Sequence, residues 1–297
     1  MAHLSIPAVV WEEYGLRNER VMTISVLMSV YKSEKGACLQ RALQSVWDDQ
    51  TRKPDQIVLI EDGALTTELY EVVNRWKERL GETLTLCVNE VNLGLTKSLN
   101  KGIMAVTSDL IARMDSDDIA APNRLELQER FLEEHPEIDI VGGSMQEFDD
   151  EHECLNVRHY PQTHEEACKY IVKACPLAHP AVMMRKRMFD EGLKYDERYR
   201  MSQDIKLWYD AILAGYKMAN LPDVCLYFRQ QGDVFRRRSR VKAWNEFKIY
   251  MNGIYRMHGL FTTAYRYPIA RYIFRNLPPS MVKRIYESGM RKRVLEK

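Results

Sequence analysis

The sequence predicts an α/β fold, a mostly parallel sheet flanked by helices, with a C-terminal helical extension. Three observations carry that expectation. Short apolar runs with β-branched members alternate with segments of helical spacing through residue 115. Such alternation implies parallel strands joined by right-handed crossovers. The apolar runs end in polar or acidic residues, and open parallel sheets bind ligands at the carboxyl ends of their strands. Charge is also segregated: residues 1–235 hold 27 Lys+Arg against 39 Asp+Glu, whereas residues 236–297 hold 16 against 3.

The elements follow in order. Residues 24–30, ISVLMSV, read as a buried strand. Leu39, Ala42, Leu43, Val46 and Trp47 recur at helical spacing and predict a helix over 36–50. QIVLI at 56–60 is a second strand, and 67–80 a second helix. TLTLCVN at 83–89 is a third strand, Gly94 opens a helix over 95–106, and DLIARM at 109–114 is a fourth strand. Further on, 202–215 reads as a helix with Ile205, Trp208, Ile212 and Leu213 on its buried face. Residues 240–290 read as helices broken at Leu277-Pro278-Pro279.

Composition excludes several classes. With 45% hydrophobic and 29% charged residues, the 297-residue chain is neither disordered nor collagen-like. No apolar run approaches the ~20 residues of a membrane span. Residues 1–21 lack a secretory pattern and are expected to be an extension without a catalytic part. The six cysteines form no CxxC pair, which predicts free thiols in a cytoplasmic protein. There is no GxGxxG after the first strand and no GxxxxGK[ST], so dinucleotide and P-loop sites lose their main support.

The strongest chemical signal is Ala112-Arg113-Met114-Asp115-Ser116-Asp117-Asp118, with three carboxylates directly after a buried strand. Crowded carboxylates repel unless protonated or bridged by a cation. Oxygen ligands suit Mg²⁺ or Mn²⁺, which often take further ligands from substrate phosphates. In an extended segment neighbours alternate, so Asp115 and Asp117 share a side while Asp118 points away. The alternative is an acidic cap on a helix starting near Pro122.

These stretches resemble glycosyltransferase family 2, inverting enzymes of GT-A fold, and within it the bacterial polysaccharide-assembly branch. The resemblance rests on Ser25–Tyr31, Ile57–Gly63, Asn92–Asn100 and Ala112–Asp118, with His179-Pro180 and Gln203-Asp204 further on. It covers about residues 22–235, the expected catalytic domain, and leaves 236–297 as a basic, aromatic helical segment. It implies that Val30 and Tyr31 line a nucleobase and that Asp62 accepts from a uracil ring N–H. Asp115 would contact the ribose side of the donor, and Asp117 would carry a divalent cation on the diphosphate. Lys97 falls near the base or phosphate, or is a solvated helix charge. His179 and Gln203 fall on the acceptor side, although a His in an apolar run is also a common core residue.

Asp204 would be the general base that takes the acceptor hydroxyl's proton. Its competing role is a helix-dipole contact. Relatives often carry a His after a Tyr-Arg pair, where this chain reads Tyr227-Phe228-Arg229-Gln230 without one. The cluster Arg236-Arg237-Arg238 either holds the leaving diphosphate or opens the basic tail. The expected activity is hexosyl transfer from a nucleotide sugar, UDP-linked first, to a saccharide or lipid-linked acceptor. A degenerate nucleotide-sugar-binding scaffold and a sugar nucleotidyltransferase are the rival readings. The basic aromatic segment suggests an anionic membrane surface at the inner face of the cell membrane, with internal packing on the acidic body as the alternative and no nucleic acid partner.

Overall fold

The computed structural model describes residues 22–149, 152, 154–230 and 240–277. The expected extension 1–21 and the Arg236–Arg238 cluster lie outside the described residues. β1 (Ile24–Val30), β2 (Gln56–Asp62), β3 (Leu84–Asn89) and β4 (Leu110–Asp115) form the parallel part of the sheet, in the order 3-2-1-4. Their crossovers carry α1 (Gly36–Val46), α2 (Thr67–Leu80) and α3 (Leu95–Met104). The register sets Val30 beside Glu61 and Ser29 beside Asp115. The polar strand ends therefore lie along one edge.

Beyond β4 come β5 (Ile119–Ala120), α4 (Arg124–Glu134), β6 (Ile140–Phe148), β7 (Asn156–Arg158) and α5 (His164–Tyr170). Then follow β8 (Met183–Arg185), α6 (Arg187–Asp190), α7 (Gln203–Leu213), β9 (Met218–Arg229), α8 (Arg240–His258) and α9 (Arg266–Asn276). The sheet order is β3-β2-β1-β4-β8-β6-β9-β5, with β7 paired to β6. β8 runs antiparallel to both neighbours and joins the two halves.

Period-2 alternation sends the strands' side chains into two cores. Ile24, Val26, Met28 and Val30 enter one with Leu39, Leu43 and Trp76. Leu27, Val58, Ile60 and Ile111 enter the other with Leu99, Trp208 and Tyr209. Arg113 and Asp115 share the parity of Ile111 and so rise on that second face, where α3 and α7 pack. A buried arginine braces the opposite side of β4. Arg124 donates to the carbonyls of Arg113 (2.7 Å) and Val182 (3.2 Å), and burial pulls its pKa down to about 10.

Some expected boundaries move. The first helix stops at Val46 instead of residue 50. Buried Gln50 donates to the carbonyls of Ser45 and Ala121, and Lys53 Nζ takes those of Trp47, Asp48 and Gln50, so a turn replaces the last helical turn. The helix expected over 95–106 ends at Met104. Residues 176–185 form a short 3₁₀ turn, His179–Ala181, and then β8.

Candidate active site

The site begins where β2 ends. Glu61 and Asp62 are both buried, but they face opposite layers. Asp62 accepts from Leu93 N (2.8 Å), Asn89 Nδ2 (3.0 Å) and Gly94 N (2.9 Å). It thereby ties down the loop leading into α3. Gly63 turns the chain there at φ +84°, and a Cβ would sit 2.7 Å from Asn92 N. Glu61, in contrast, finds no hydrogen-bond partner for its carboxylate among the described residues, and burial pushes its pKa up. Val30 is enclosed in the core, whereas Tyr31, one residue on, is 47% exposed.

β4 ends in the acidic turn. Carboxylate oxygens of Asp115, Asp117 and Asp118 all lie within 4.8 Å of one another. The expectation that Asp118 points away is corrected: residues 116–118 form a turn, so strand alternation does not apply to them. Asp117's carboxyl is pushed up to about 6 by burial, then by the charges of Asp115 and Glu34. Asp118 is driven up by burial, then by the charges of Asp115 and Asp117. Its Oδ1 accepts from Arg229 N at 2.9 Å, while its buried Oδ2 has no hydrogen-bond partner among the described residues. Arg229 also donates from Nε to the Asp117 carbonyl (3.1 Å) and stacks over Phe148 (4.6 Å). Three converging carboxylates, one with an orphaned buried oxygen, fit a hard divalent cation.

Arg113 links this turn to the second core. Its Nη2 pairs with Asp115, while its Nε and Nη1 are buried without a hydrogen-bond partner among the described residues. Its charge reaches Asp204, His179 and Tyr195. Asp204 is half-buried in the first turn of α7. Burial raises its pKa, while the Ile205 amide, Arg113 and Lys242 pull it back and Glu246 adds to the rise. The Cys175 thiol is 3.9 Å from its Oδ2. Ser202, two residues earlier, has φ +65° and donates to Glu246 on α8 (3.3 Å). Left-handed backbone at a non-glycine residue is strain of a kind that collects at functional sites.

The sequence of β1 through α6 decides the family. The family model described as Glycosyl transferase family 2 matches residues 25–193. The chain belongs to glycosyltransferase family 2. A Haemophilus influenzae protein named "Uncharacterized glycosyltransferase" is 37% identical, covering 91% of this chain and 100% of its own. "Amylovoran biosynthesis glycosyltransferase AmsE" of Erwinia amylovora is 33% identical, over 89% and 97%. The Escherichia coli "UDP-Gal:alpha-D-GlcNAc-diphosphoundecaprenol beta-1,3-galactosyltransferase" is 30% identical, over 90% and 96%. Among solved structures, S. aureus TarS 1–349 with UDP-GlcNAc superposes with a TM-score of 0.62 at 18% identity, covering 86% of this chain and 72% of that one. Mannosyltransferase PcManGT of Pyrobaculum calidifontis, with GDP-Man and Mn²⁺, gives 0.59 at 14% identity, over 93% and 76%. These likenesses show the GT-A fold, and the family makes the chain a glycosyltransferase.

Within the glycosyltransferase fold the remaining candidates separate. His179 is buried, with Nε2 2.8 Å from the Tyr195 hydroxyl and its ring edge-on to Tyr195 and Trp208. Burial and Arg113 hold its pKa well below the ordinary value, so it is neutral. Gln203 is buried at the start of α7. Lys97 is exposed on α3. Sequence reasoning gave no role to Glu61, Arg113 or Arg229, and it turned Asp118 away from the acidic cluster that the structure places it in. Arg229 had a signal, since it stands in the Tyr-Phe-Arg run where a His was sought.

Proposed function

We propose that this glycosyltransferase moves a hexose from a nucleotide sugar, UDP-linked first, to a lipid-linked saccharide in cell-surface polysaccharide synthesis, with inversion at the anomeric carbon. One observation carries the reading: three carboxylates converge in the turn after β4, and the buried Arg113 that pairs with one of them also bears electrostatically on a separate half-buried carboxylate, Asp204. The names of the E. coli and E. amylovora relatives, and the nucleotide sugars in the two superposed structures, support the donor and acceptor classes.

Asp115, Asp117 and Asp118 would hold a divalent cation, which supplies positive charge to a leaving diphosphate. Glu61, buried and without a hydrogen-bond partner among the described residues, would accept from a ring N–H of the nucleobase, while Asp62 shapes the loop beside it. Tyr31 offers an exposed ring beside the same edge. Asp204 accepts the proton of the acceptor hydroxyl as that oxygen bonds to the anomeric carbon. The bond from that carbon to the phosphate oxygen breaks, and the nucleoside diphosphate leaves with the electron pair. Attack opposite the leaving group inverts the configuration. Neutral His179 holds the Tyr195 hydroxyl in the wall behind Arg113.

Calorimetric titration with UDP, with and without Mn²⁺, tests the donor site: metal-dependent binding is expected. No UDP binding in either condition, with GDP binding instead, would remove the UDP assignment. Product configuration by proton NMR tests inversion, and a retained configuration would overturn the role given to Asp204.

A further inference from the structure

The α8–α9 hairpin carries a surface that the transfer chemistry does not use. Its inner side is committed to the body: Ala243, Ile249, Tyr250, Gly253 and Ile254 are buried, and Gly253 is so close to Tyr209 on α7 that a Cβ would come within 2.3 Å of the ring. Its outer side is apolar where solvent should be. Val241, Trp244, Tyr255 and Ile273 are 62%, 47%, 52% and 57% exposed. At the turn between the helices, Leu260 is 68% exposed and Phe261 101%. Trp244, Phe247 and Tyr272 cluster across the two helices, with ring centroids 4.9–5.7 Å apart.

The charge around these side chains has one sign. Residues 240–277 include seven Lys or Arg and a single acid, Glu246. Glu246 is buried and paired with Arg275 at 2.8 Å, so it offers no negative charge to the surface. The hairpin thus presents apolar and aromatic groups among cations with no exposed acid. That pattern selects against a second copy, whose identical face would repel it. It also selects against the chain's own residues 278–297, which carry six further cations and two acids. It matches a bilayer surface that supplies negative headgroups and an apolar interior together.

We propose that the outer face of the α8–α9 hairpin docks on an anionic lipid bilayer, with Leu260 and Phe261 entering the headgroup boundary. The hairpin is also rigidly tied to the catalytic side, because Glu246 accepts from Ser202 at the start of α7 and Arg256 reaches Asp210 further along it (3.5 Å). Docking therefore fixes where Asp204 sits relative to the lipid. The use of that placement rests on the lipid-linked acceptor proposed above, but the docking itself does not.

The test is sedimentation of the full chain with phosphatidylcholine vesicles, with and without about one third phosphatidylglycerol, beside a UDP titration of the same protein. Binding to the anionic vesicles alone is expected, weakened by salt. The pair Leu260→Glu and Phe261→Glu should lower it at least about tenfold, since it removes two inserting groups and adds two repelled charges. Ile269→Ser with Ile273→Ser is the second variant, should the first fold poorly. Equal binding to neutral vesicles, or no binding, would overturn the proposal. So would a dimer that L260E/F261E splits, which would make the face a contact between copies. Binding insensitive to both hairpin variants but lost when Lys283, Arg284, Arg291, Lys292 and Arg293 become Gln would assign it to the tail. Loss of vesicle binding with UDP binding intact counts only against the docking face, and the converse only against the donor site.

Discussion

Asp62→Asn and Glu61→Gln alter neighbouring carboxylates whose surroundings demand opposite outcomes. Asp62, itself buried, accepts two backbone N–H groups at 2.8 and 2.9 Å and one amide at 3.0 Å. In the Asn variant one oxygen still serves Leu93 and Asn89, but an amide N–H₂ now confronts Gly94 N. The loss is one charge-assisted hydrogen bond, about 1.5–3 kcal/mol, plus a buried donor without a partner, about 1–3 kcal/mol. A cost of about 3–5 kcal/mol, at about 2 °C per kcal/mol for a chain of this size, lowers Tm by about 6–10 °C. Glu61 has no such bonds to lose, and neutralising it removes a desolvated charge, so Glu61→Gln should melt within about 2 °C of the parent or above it. Its effect belongs to the ligand: losing a charged hydrogen bond to a ring N–H weakens UDP binding about 10- to 100-fold. Differential scanning fluorimetry and UDP titration on the two variants decide the matter. If D62N kept its Tm but lost UDP, or E61Q melted 10 °C lower with UDP binding intact, the roles assigned here would be reversed.

Three further outcomes follow from the same geometry. Asp117's carboxyl, pushed up to about 6, favours its protonated form in the metal-free protein, so its contribution to stability is present near pH 4 and is lost as pH rises through 6. A cation must displace that proton, so Mn²⁺ should raise Tm more at pH 7.5 than at pH 5.5, and an equal rise at both would argue against this turn as its site. Asp204→Asn should cut turnover about 10²- to 10⁴-fold while leaving UDP affinity within a factor of about two, measured by product formation and titration. Arg113→Gln removes the positive charge that favours ionised Asp204, so the acidic limb of the pH–rate profile should move to higher pH. An unmoved limb with merely reduced activity would leave Arg113 a packing role only.

How much of this could be read from the chain differs sharply between its halves. The four parallel strands lie within two residues of expectation because each is a local apolar run between periodic helices. β8 is only three residues long, and its place between β4 and β6 depends on pairing with residues 71–75 and 42–44 positions upstream. No local pattern reports such pairing. β9 carries exposed Pro222 and Asp223, and its register against β6 slips twice after Gly143, which erases the alternation that identifies a strand. The acidic cluster itself was plain, yet Asp118's direction was not, because alternation holds for a strand and the chain had already begun to turn.

The position of β8 explains why one arginine touches both halves of the site. Arg113 N donates to the Val182 carbonyl at 3.0 Å, so the segment running from His179 into β8 is seated against β4 just before the acidic turn. His179 packs edge-on against Tyr195 and Trp208 of the second core, and Trp208 lies four residues after Asp204 on α7, one turn along the helix. Arg113 pairs one of its nitrogens with Asp115. Its Nε and Nη1 have no hydrogen-bond partner among the described residues, and its charge pulls the Asp204 carboxyl's pKa down against the rise that burial causes. From the sequence Arg113 is one residue in a strand otherwise suited to the core. The context for a charge there appears only once β8, inserted from the far half of the chain, pairs antiparallel with β4 and Arg113 meets Asp115 at the start of the acidic turn.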